Sequence, residues 1–237
     1  MKTNKLIKLI ENDFPLSYQN NWDNSGIQII NEDTKRILVC LDITSDVCQY
    51  AINNDIDLII THHPLIFNSY LNSYDYIRNI YQRLLSKRIA VYAMHTSFDN
   101  HPYGMNYQFY LKLNYHHYYI KNNILYFDTD DYLYDKLAHI NDLNIRIYHH
   151  QNKLIKGALV LGAGGSFIDE IILEKADVFI SSEFKHHEIN YAYENKLTLI
   201  DISHQAELIF VEYLVKYLNK HFTDLFIDAY YNKYEIK

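Results

Sequence analysis

Short apolar runs alternate with helix-like segments along most of this 237-residue chain. Apolar runs of about four to eight residues are long enough for buried strands, and the spacing between them is typical of helices. We predict strands at 36–43, 58–63, 89–95, 124–127, 145–150, 157–162, 177–182 and 197–203, and helices at 45–55, 76–87, 104–113, 134–143, 166–175, 186–195 and 206–222. This alternation predicts an α/β fold with mostly parallel or mixed sheets.

One polar stretch, NYHHYYIKNN at residues 114–123, interrupts the alternation. We interpret it as a domain boundary. The chain is therefore expected to form two βα-alternating domains, one made of residues 1–115 with 200–237 and the other of residues 116–199. The carboxyl ends of the strands, between the domains, are the expected place for a functional site, because ligands of parallel α/β sheets bind there.

Charge and patterning exclude several classes of protein. The formal net charge is −7, which argues against binding to long nucleic acid or to an anionic membrane, because both need a concentrated positive field. No apolar run approaches the length of a membrane span, and the first residues lack a secretory pattern, so we expect a soluble, cytoplasmic protein. Cys40 and Cys48 lack metal or redox spacing and are predicted to be buried structural thiols.

Potential metal ligands follow three of the predicted strands. His62-His63 ends the strand at 58–63, His95 and Asp99 follow the next strand, and His204 and Glu207 lie at the end of the last one. Each has an ordinary explanation: a surface histidine pair, a turn-capping Asp99, or a Glu207 favoured by a helix dipole. Their convergence on one edge favours a metal site. Imidazoles and carboxylates without thiolate suit Zn, Fe, Mn, Ni or Co without distinguishing them.

The adjacency of His62 and His63 carries its own constraint. Successive strand residues point to opposite sides, so both imidazoles can reach one centre only if the chain turns there, as Pro64 favours. Otherwise the pair would serve two neighbouring ions.

Six segments in a fixed order resemble a known family. They are WDNSGIQI (22–29), THHPLIF (61–67), AMHTSFDNHPYGMN (93–106), GALVLGAGGSF (157–167), ADVFISSEFKHHE (176–188) and DISHQAE (201–207). Together they resemble the dinuclear-metal-centre hexameric proteins, the family of NGG-one-interacting factor three, whose bacterial members are known as GTP cyclohydrolase 1 type 2 homologues. The resemblance covers nearly the whole chain.

The resemblance implies a ligand set and an assembly. The ligands of two divalent ions would be His62, His63, Asp99, His204 and Glu207, with Glu207 bridging the ions. His95 would be an alternative ligand or a group beside the ligands. The family's members are two-domain α/β proteins that form toroidal homohexamers, trimers of dimers, with the metal sites facing an inner cavity.

The resemblance also implies an activity. A metal-dependent hydrolase would open the imidazole ring of GTP with metal-bound hydroxide and release formate. Proton transfer would fall to His95, Glu183, His186 or His187, and Lys185 could meet a phosphate as a point charge. Two alternatives stay open: a metal-handling or regulatory ring protein without turnover, and a metal-dependent phosphoesterase.

Some positions depart from the family pattern or stand outside it. Ser182 and Ser203 replace glycines that are common in relatives. The glycine-rich segment 162–165 could cradle a phosphate, but tight strand-to-helix packing is the favoured role. The segment 22–24 has no role that its residues reveal, and we expect it to order the rim near the metals. The pairs His116-His117 and His149-His150 have no partner motif and are expected to be structural or at the surface.

Overall fold

The computed structural model describes residues 1–67, 69–70, 73–140, 143–150 and 153–232. The strands are β1 Gly26–Ile29, β2 Arg36–Cys40, β3 Leu58–Thr61, β4 Ala90–Ala93, β5 Tyr118–Lys121, β6 Ile124–Asp128, β7 Arg146–Tyr148, β8 Lys156–Leu159, β9 Val178–Ser181, β10 Thr198–Asp201 and β11 Phe226–Tyr230. The helices are α1 Thr3–Asp13, α2 Ser45–Asn53, α3 Asp75–Ser86, α4 His95–Asp99, α5 Met105–Leu113, α6 Leu133–Ala138, α7 Ile168–Leu173, α8 His186–Glu194 and α9 Ile209–His221.

Two compact units make up the chain, one of residues 1–100 with 210–237 and one of residues 101–209. The first unit contains a five-stranded sheet in the order β1-β4-β3-β2-β11. Its four strands from β4 to β11 run parallel, and β1 pairs antiparallel with β4 at the edge. Fully buried side chains of β2 and β3 pack with α2 and α3 in one apolar core, so burial of apolar area holds these layers together.

The register of the first sheet aligns three strand ends. Cys40 in β2 pairs with Thr61 in β3, and Thr61 pairs with Ala93 in β4. Thr44 begins α2 as its N-cap, since its side chain accepts a hydrogen bond from Val47 N, which satisfies one of the helix's free amides. Because of the register of β2, β3 and β4, the chain leaves the three strands at the same level of the sheet.

The second unit contains a six-stranded mixed sheet in the order β5-β6-β8-β9-β10-β7. The strands β8, β9 and β10 are parallel, and the outer pairings are antiparallel. The stretch 114–123 does not simply separate two domains: it contains β5 and the tight turn of the β5–β6 hairpin. Asn122 and Asn123 form this turn with positive φ angles of 49° and 66°, which asparagine tolerates better than most residues.

Two contacts explain where the second unit begins and ends. Asn106 in α5 accepts from Leu161 N and donates to Asn123 O, so this helix packs on the second sheet. The strand β10 pairs with β9, which places residues 198–201 in the second sheet as well. Units therefore change at 100/101 and 209/210, whereas the sequence-based division places them at 115/116 and 199/200.

The α/β class with mixed sheets is confirmed, and each predicted strand and helix has a counterpart with shifted ends. The helix expected at 134–143 ends at Ala138, and residues 141–142 lie outside the described residues. The prediction omitted α1, α4, β1, β5 and β11. Among the described residues, no helix combines the length and apolar character needed to cross a membrane.

Both thiols are buried and free, as predicted. Burial raises the pKa of Cys40 to about 12 and also raises the pKa of Cys48, because a thiolate loses its hydration inside the core. A thiol of this kind is unreactive, since the thiolate is the nucleophile.

We therefore expect native protein at pH 8 to resist modification by a disulfide reagent such as Ellman's reagent. Unfolding in guanidinium chloride should release both thiols, Cys40 and Cys48, and give full reaction within minutes. Rapid modification of either thiol in the native protein would show that the core around α2 and β2 is open.

Candidate metal centre

The aligned strand ends of the first sheet carry a cluster of polar side chains. Cys40, Thr61 and Ala93 share one level of the sheet. Two residues further along, each chain places a functional group: Asp42 after β2, His63 after β3 and His95 after β4. Equal spacing from aligned positions brings the three groups to the same rim, as expected for parallel strands.

The chain turns at the His62-His63 pair, which the sequence required if both imidazoles were to reach one centre. The Thr61 hydroxyl donates to Leu41 O at 2.9 Å and lies 3.2 Å from His63 O. The amides of His62 and His63 donate to Cys40 O and Leu41 O. The two rings lie 4.7 Å apart, centroid to centroid, so the turn brings both to the same rim.

Three imidazoles meet at this rim. His62, His63 and His95 each offer one ligand atom, and these atoms all lie within 4.8 Å of one another. His62 is buried, and the other two are half-buried. The ring of His62 packs against Phe210, which lies 5.2 Å away, so its position is fixed by the core. A cluster of imidazole nitrogens at this spacing matches the donor chemistry of Zn, Fe, Ni or Co.

A carboxylate holds each of the two half-buried imidazoles. Asp42 Oδ1 lies 2.8 Å from Nδ1 of His63, and Asp23 Oδ1 lies 2.7 Å from Nδ1 of His95. In both rings, Nδ1 is therefore the nitrogen that faces a carboxylate. Carboxylates commonly lie behind metal-binding histidines, because they fix the ring and raise its basicity.

The Asp23 carboxylate is the more enclosed of the two. Its side chain has an exposed fraction of 0%. It accepts hydrogen bonds from Asn24 N, Ser25 Oγ, and the amide and hydroxyl of Thr96. Burial acts to raise the pKa of Asp23, but the hydrogen bonds from His95, Ser25 and Thr96 outweigh it and hold the pKa well below its usual range. A buried charge with this many donors is a fixed anion.

Asp99 lies at the end of the short helix α4, which begins at His95. Its Oδ1 is 3.6 Å from Nε2 of His62. The first unit therefore brings together four predicted site residues: His62, His63, His95 and Asp99. It adds two that the sequence did not single out as site residues, Asp23 and Asp42.

In the second unit, His204 and Glu207 face each other at 2.9 Å between Nε2 and Oε2. They lie on the one-turn helix His204–Leu208 that follows β10. Glu207 is buried, whereas the His204 side chain has an exposed fraction of 48%. A Cβ on Gly162 would lie 3.3 Å from Oε1 of Glu207, so glycine leaves room for this carboxylate.

The residue before His204 has a strained backbone. Ser203 adopts φ 61° and ψ 160°. Residues other than glycine rarely adopt this backbone conformation, which costs them about 1–3 kcal/mol. Its amide donates to Asp201 Oδ1 at 3.0 Å, and Asp201 Oδ2 is paired with Arg146 at 2.8 Å. The Asp201 carboxylate is buried, whereas Arg146 is largely exposed. The hydrogen bond to this carboxylate and the packing of the buried Ile202 hold the turn in place.

The glycine-rich segment between β8 and α7 serves packing. A Cβ on Gly164 would overlap Ser181 Oγ, and a Cβ on Gly165 would overlap the Glu188 carboxylate. The amides of Gly162 and Gly164 donate to Ser182 Oγ and Ser181 Oγ. These amides are therefore engaged by neighbouring hydroxyls, which supports the packing role over a phosphate cradle.

The remaining predicted residues lie around the beginning of α8. Glu183, Lys185, His186 and His187 are all exposed. Lys185 N donates to Glu188 Oε2 at 2.7 Å, and the His186 ring lies 3.4 Å from Asn190 Nδ2. The structure thus leaves these four side chains open to solvent. The pair His116-His117 is also exposed, as expected for a surface feature. In the pair His149-His150, His149 is exposed and His150 is half-buried.

Comparisons with known proteins identify a family that covers nearly the whole chain. The model of the family Duf34/NIF3 (NGG1p interacting factor 3) matches residues 1–233. A protein of Campylobacter jejuni named GTP cyclohydrolase 1 type 2 homolog is 31% identical, with 91% of each chain covered. A protein of the same name from Mycoplasmopsis pulmonis is 30% identical, with coverage of 90% of this chain and 92% of the other.

Solved structures share the fold. Reduced HcgD from Methanocaldococcus jannaschii superposes with a TM-score of 0.86 at 24% identity, with 97% of each chain covered. The Staphylococcus aureus hypothetical protein SA1388 superposes with a TM-score of 0.83 at 24% identity, covering 99% of this chain and 97% of the other.

The strain at Ser203 yields a stability prediction. Replacing Ser203 with Gly should raise the free energy of unfolding by about 1 kcal/mol, because the strain outweighs the extra freedom of glycine in the unfolded chain. Urea denaturation measures the change. The matched control, Ser203→Ala, keeps a Cβ and should show no gain; equal stability of the two variants would rule out backbone strain.

The carboxylate behind His63 yields a binding prediction. Asp42→Asn should weaken zinc binding by about 10- to 100-fold, because the amide no longer fixes the ring or raises its basicity. Competition with a chromophoric chelator measures the affinity. Asp46→Asn is the control, since Asp46 is an exposed carboxylate on the following helix. An unchanged affinity for the Asp42 variant would contradict the role given to this pair.

Proposed function

Because the chain belongs to the Duf34/NIF3 family, we propose that it is a metal-dependent hydrolase that opens the imidazole ring of GTP and releases formate. The observation that carries the proposal is the cluster of His62, His63 and His95, whose ligand atoms lie within 4.8 Å of one another. The names of the bacterial relatives, GTP cyclohydrolase 1 type 2 homologs, supply the reaction.

The proposed ligands of two divalent ions are His62, His63, Asp99, His204 and Glu207. The family resemblance supports this set, and the imidazole and carboxylate chemistry of both units fits it. Zn, Fe, Mn, Ni and Co all accept such donors. When bound, two such ions lower the pKa of water and polarise a substrate, which is the chemistry that hydrolysis needs.

His95 is proposed to move protons beside this site. Its Nδ1 is held by the buried Asp23 carboxylate, which leaves Nε2 to exchange a proton with the reacting water or the purine. An imidazole backed by a carboxylate is a common general base, because the carboxylate fixes the tautomer and stabilises the protonated ring. Addition of one water at C8 of the purine and cleavage of one C–N bond would open the ring to a formamide. A second water would cleave the remaining C8–N bond and release formate, and each released nitrogen would gain a proton.

The exposed residues at the start of α8 are proposed to serve the substrate. Lys185 offers a point charge to a phosphate, and Glu183, His186 and His187 offer further sites for proton transfer. Their exposure keeps them available to a nucleotide.

The proposal also includes an assembly and a location. The family resemblance supports a homohexamer built as a trimer of dimers, and the sequence composition supports a cytoplasmic location.

Two histidine pairs provide a matched test of this function. We expect metal-loaded wild-type protein to release formate from GTP and to hold about two ions per chain by elemental analysis. The double variant His62→Ala/His63→Ala should lose bound metal and slow formate release by more than about 100-fold. Loss of a metal ligand should reduce activity at least as much as loss of a carboxylate that orients a ligand. His116→Ala/His117→Ala, in an exposed pair, should match the wild type.

Circular dichroism and thermal unfolding would establish that both double variants are folded. Absence of formate from metal-loaded wild-type protein would reject GTP ring opening. Full activity in the His62→Ala/His63→Ala variant would reject the rim of the first unit as the site of chemistry.

A further inference from the structure

Two exposed aromatic rings stand beside His95. Trp22 has an exposed fraction of 58% and Phe67 of 41%. Their ring centroids are 5.8 Å apart with planes tilted by 35°. Each also meets the His95 ring, at 5.8 Å for Trp22 and 5.9 Å for Phe67, with an interplanar angle of 70° in both cases. The three rings form one aromatic surface next to the imidazole cluster.

Both rings sit on segments that are held firmly in place. Trp22 precedes Asp23, whose buried carboxylate accepts hydrogen bonds from four other groups besides His95. Asn24 Nδ2 donates to Ile66 O at 2.6 Å, next to Phe67. Gln28 ties the same segments again, accepting from Ile66 N at 2.9 Å and donating to Asn24 O at 2.8 Å.

The Trp22 ring is exposed although hydrogen bonds hold its loop in place. The structure of the loop therefore does not depend on burial of the ring, and the apolar face of the ring is available to a ligand. Flat aromatic ligands gain about 1–3 kcal/mol per ring by stacking on such side chains. Because the His95 ring adjoins both aromatic rings, a polar edge of a stacked ligand could reach Nε2 of His95.

We propose that Trp22 and Phe67 form the stacking surface for the flat heteroaromatic ring of the substrate, a purine in the nucleotide proposed above. They position this ring beside His95 and are binding residues, without a part in bond cleavage. The inference rests on the proposed function for the identity of the ligand, but its test measures binding and does not require turnover.

Trp22 is the only tryptophan in the chain, so its fluorescence reports on this surface directly. The titration uses full-length protein kept metal-free with a chelator, excited at the red edge of tryptophan absorption, with GTP as the probe. We expect GTP to quench Trp22 fluorescence in a saturable way. Inorganic tripolyphosphate, which carries the charge without the ring, should leave the fluorescence unchanged.

The variant Phe67→Ala should raise the dissociation constant for GTP by about 5- to 150-fold, the range that the loss of one stacking contact gives. Tyr74→Ala is the matched control, because Tyr74 is another exposed aromatic residue of the first unit, with an exposed fraction of 74%. It should bind GTP like the wild type.

Several results would overturn the proposal. They are equal quenching by tripolyphosphate, no quenching by millimolar GTP, or equal affinities of the Phe67→Ala and Tyr74→Ala variants. A change in sedimentation of Phe67→Ala would instead assign the two rings to a contact between copies of the chain. Quenching without formate release would reject the hydrolase while the stacking surface stands; formate release with unaltered binding by Phe67→Ala would reject only the stacking surface.

Discussion

The hydrogen-bond register of β2, β3 and β4 is the constraint on which the candidate site depends. Pairing of Cys40 with Thr61 and of Thr61 with Ala93 sets three chain exits at one level. Each exit then delivers its functional group after the same number of residues. A slip of one residue in a strand would turn its side chains to the opposite face, and His63 would lose both Asp42 and the neighbouring imidazoles. Burial of β2 and β3 in the core protects the register.

Electrostatics explains why the rim is ordered before any ligand binds. The Asp23 carboxylate is fully enclosed, and burying a charge is costly unless hydrogen bonds compensate it. Donors from its own loop and from Thr96 supply that compensation. The same carboxylate orients His95. The hydrogen bonds that stabilise the buried charge therefore also fix the position of the imidazole ring. Such preorganisation limits the rearrangement that binding would require.

Much of this arrangement could be predicted from the sequence, because strand ends are readable from apolar runs. The positions of His62, His63 and Asp99 follow from that pattern. The roles of Asp23 and Asp42 do not, since each depends on a partner far along the chain, and Asp42 finds His63 only through the strand register. A carboxylate directly after a predicted parallel strand was the available signal for Asp42. The boundary at 114–123 was misread because two adjacent asparagines make a hairpin turn there that resembles a polar linker.

We propose above that the imidazoles of His62 and His63, at the end of β3, bind a metal ion. Anomalous diffraction from crystals of the zinc-loaded protein, recorded on both sides of the zinc absorption edge, tests it most directly. We expect a peak within about 2.0–2.1 Å of an imidazole nitrogen of His62 or His63, the usual zinc–nitrogen distance. Fully occupied zinc peaks elsewhere on the protein, with none at either histidine, would contradict the account.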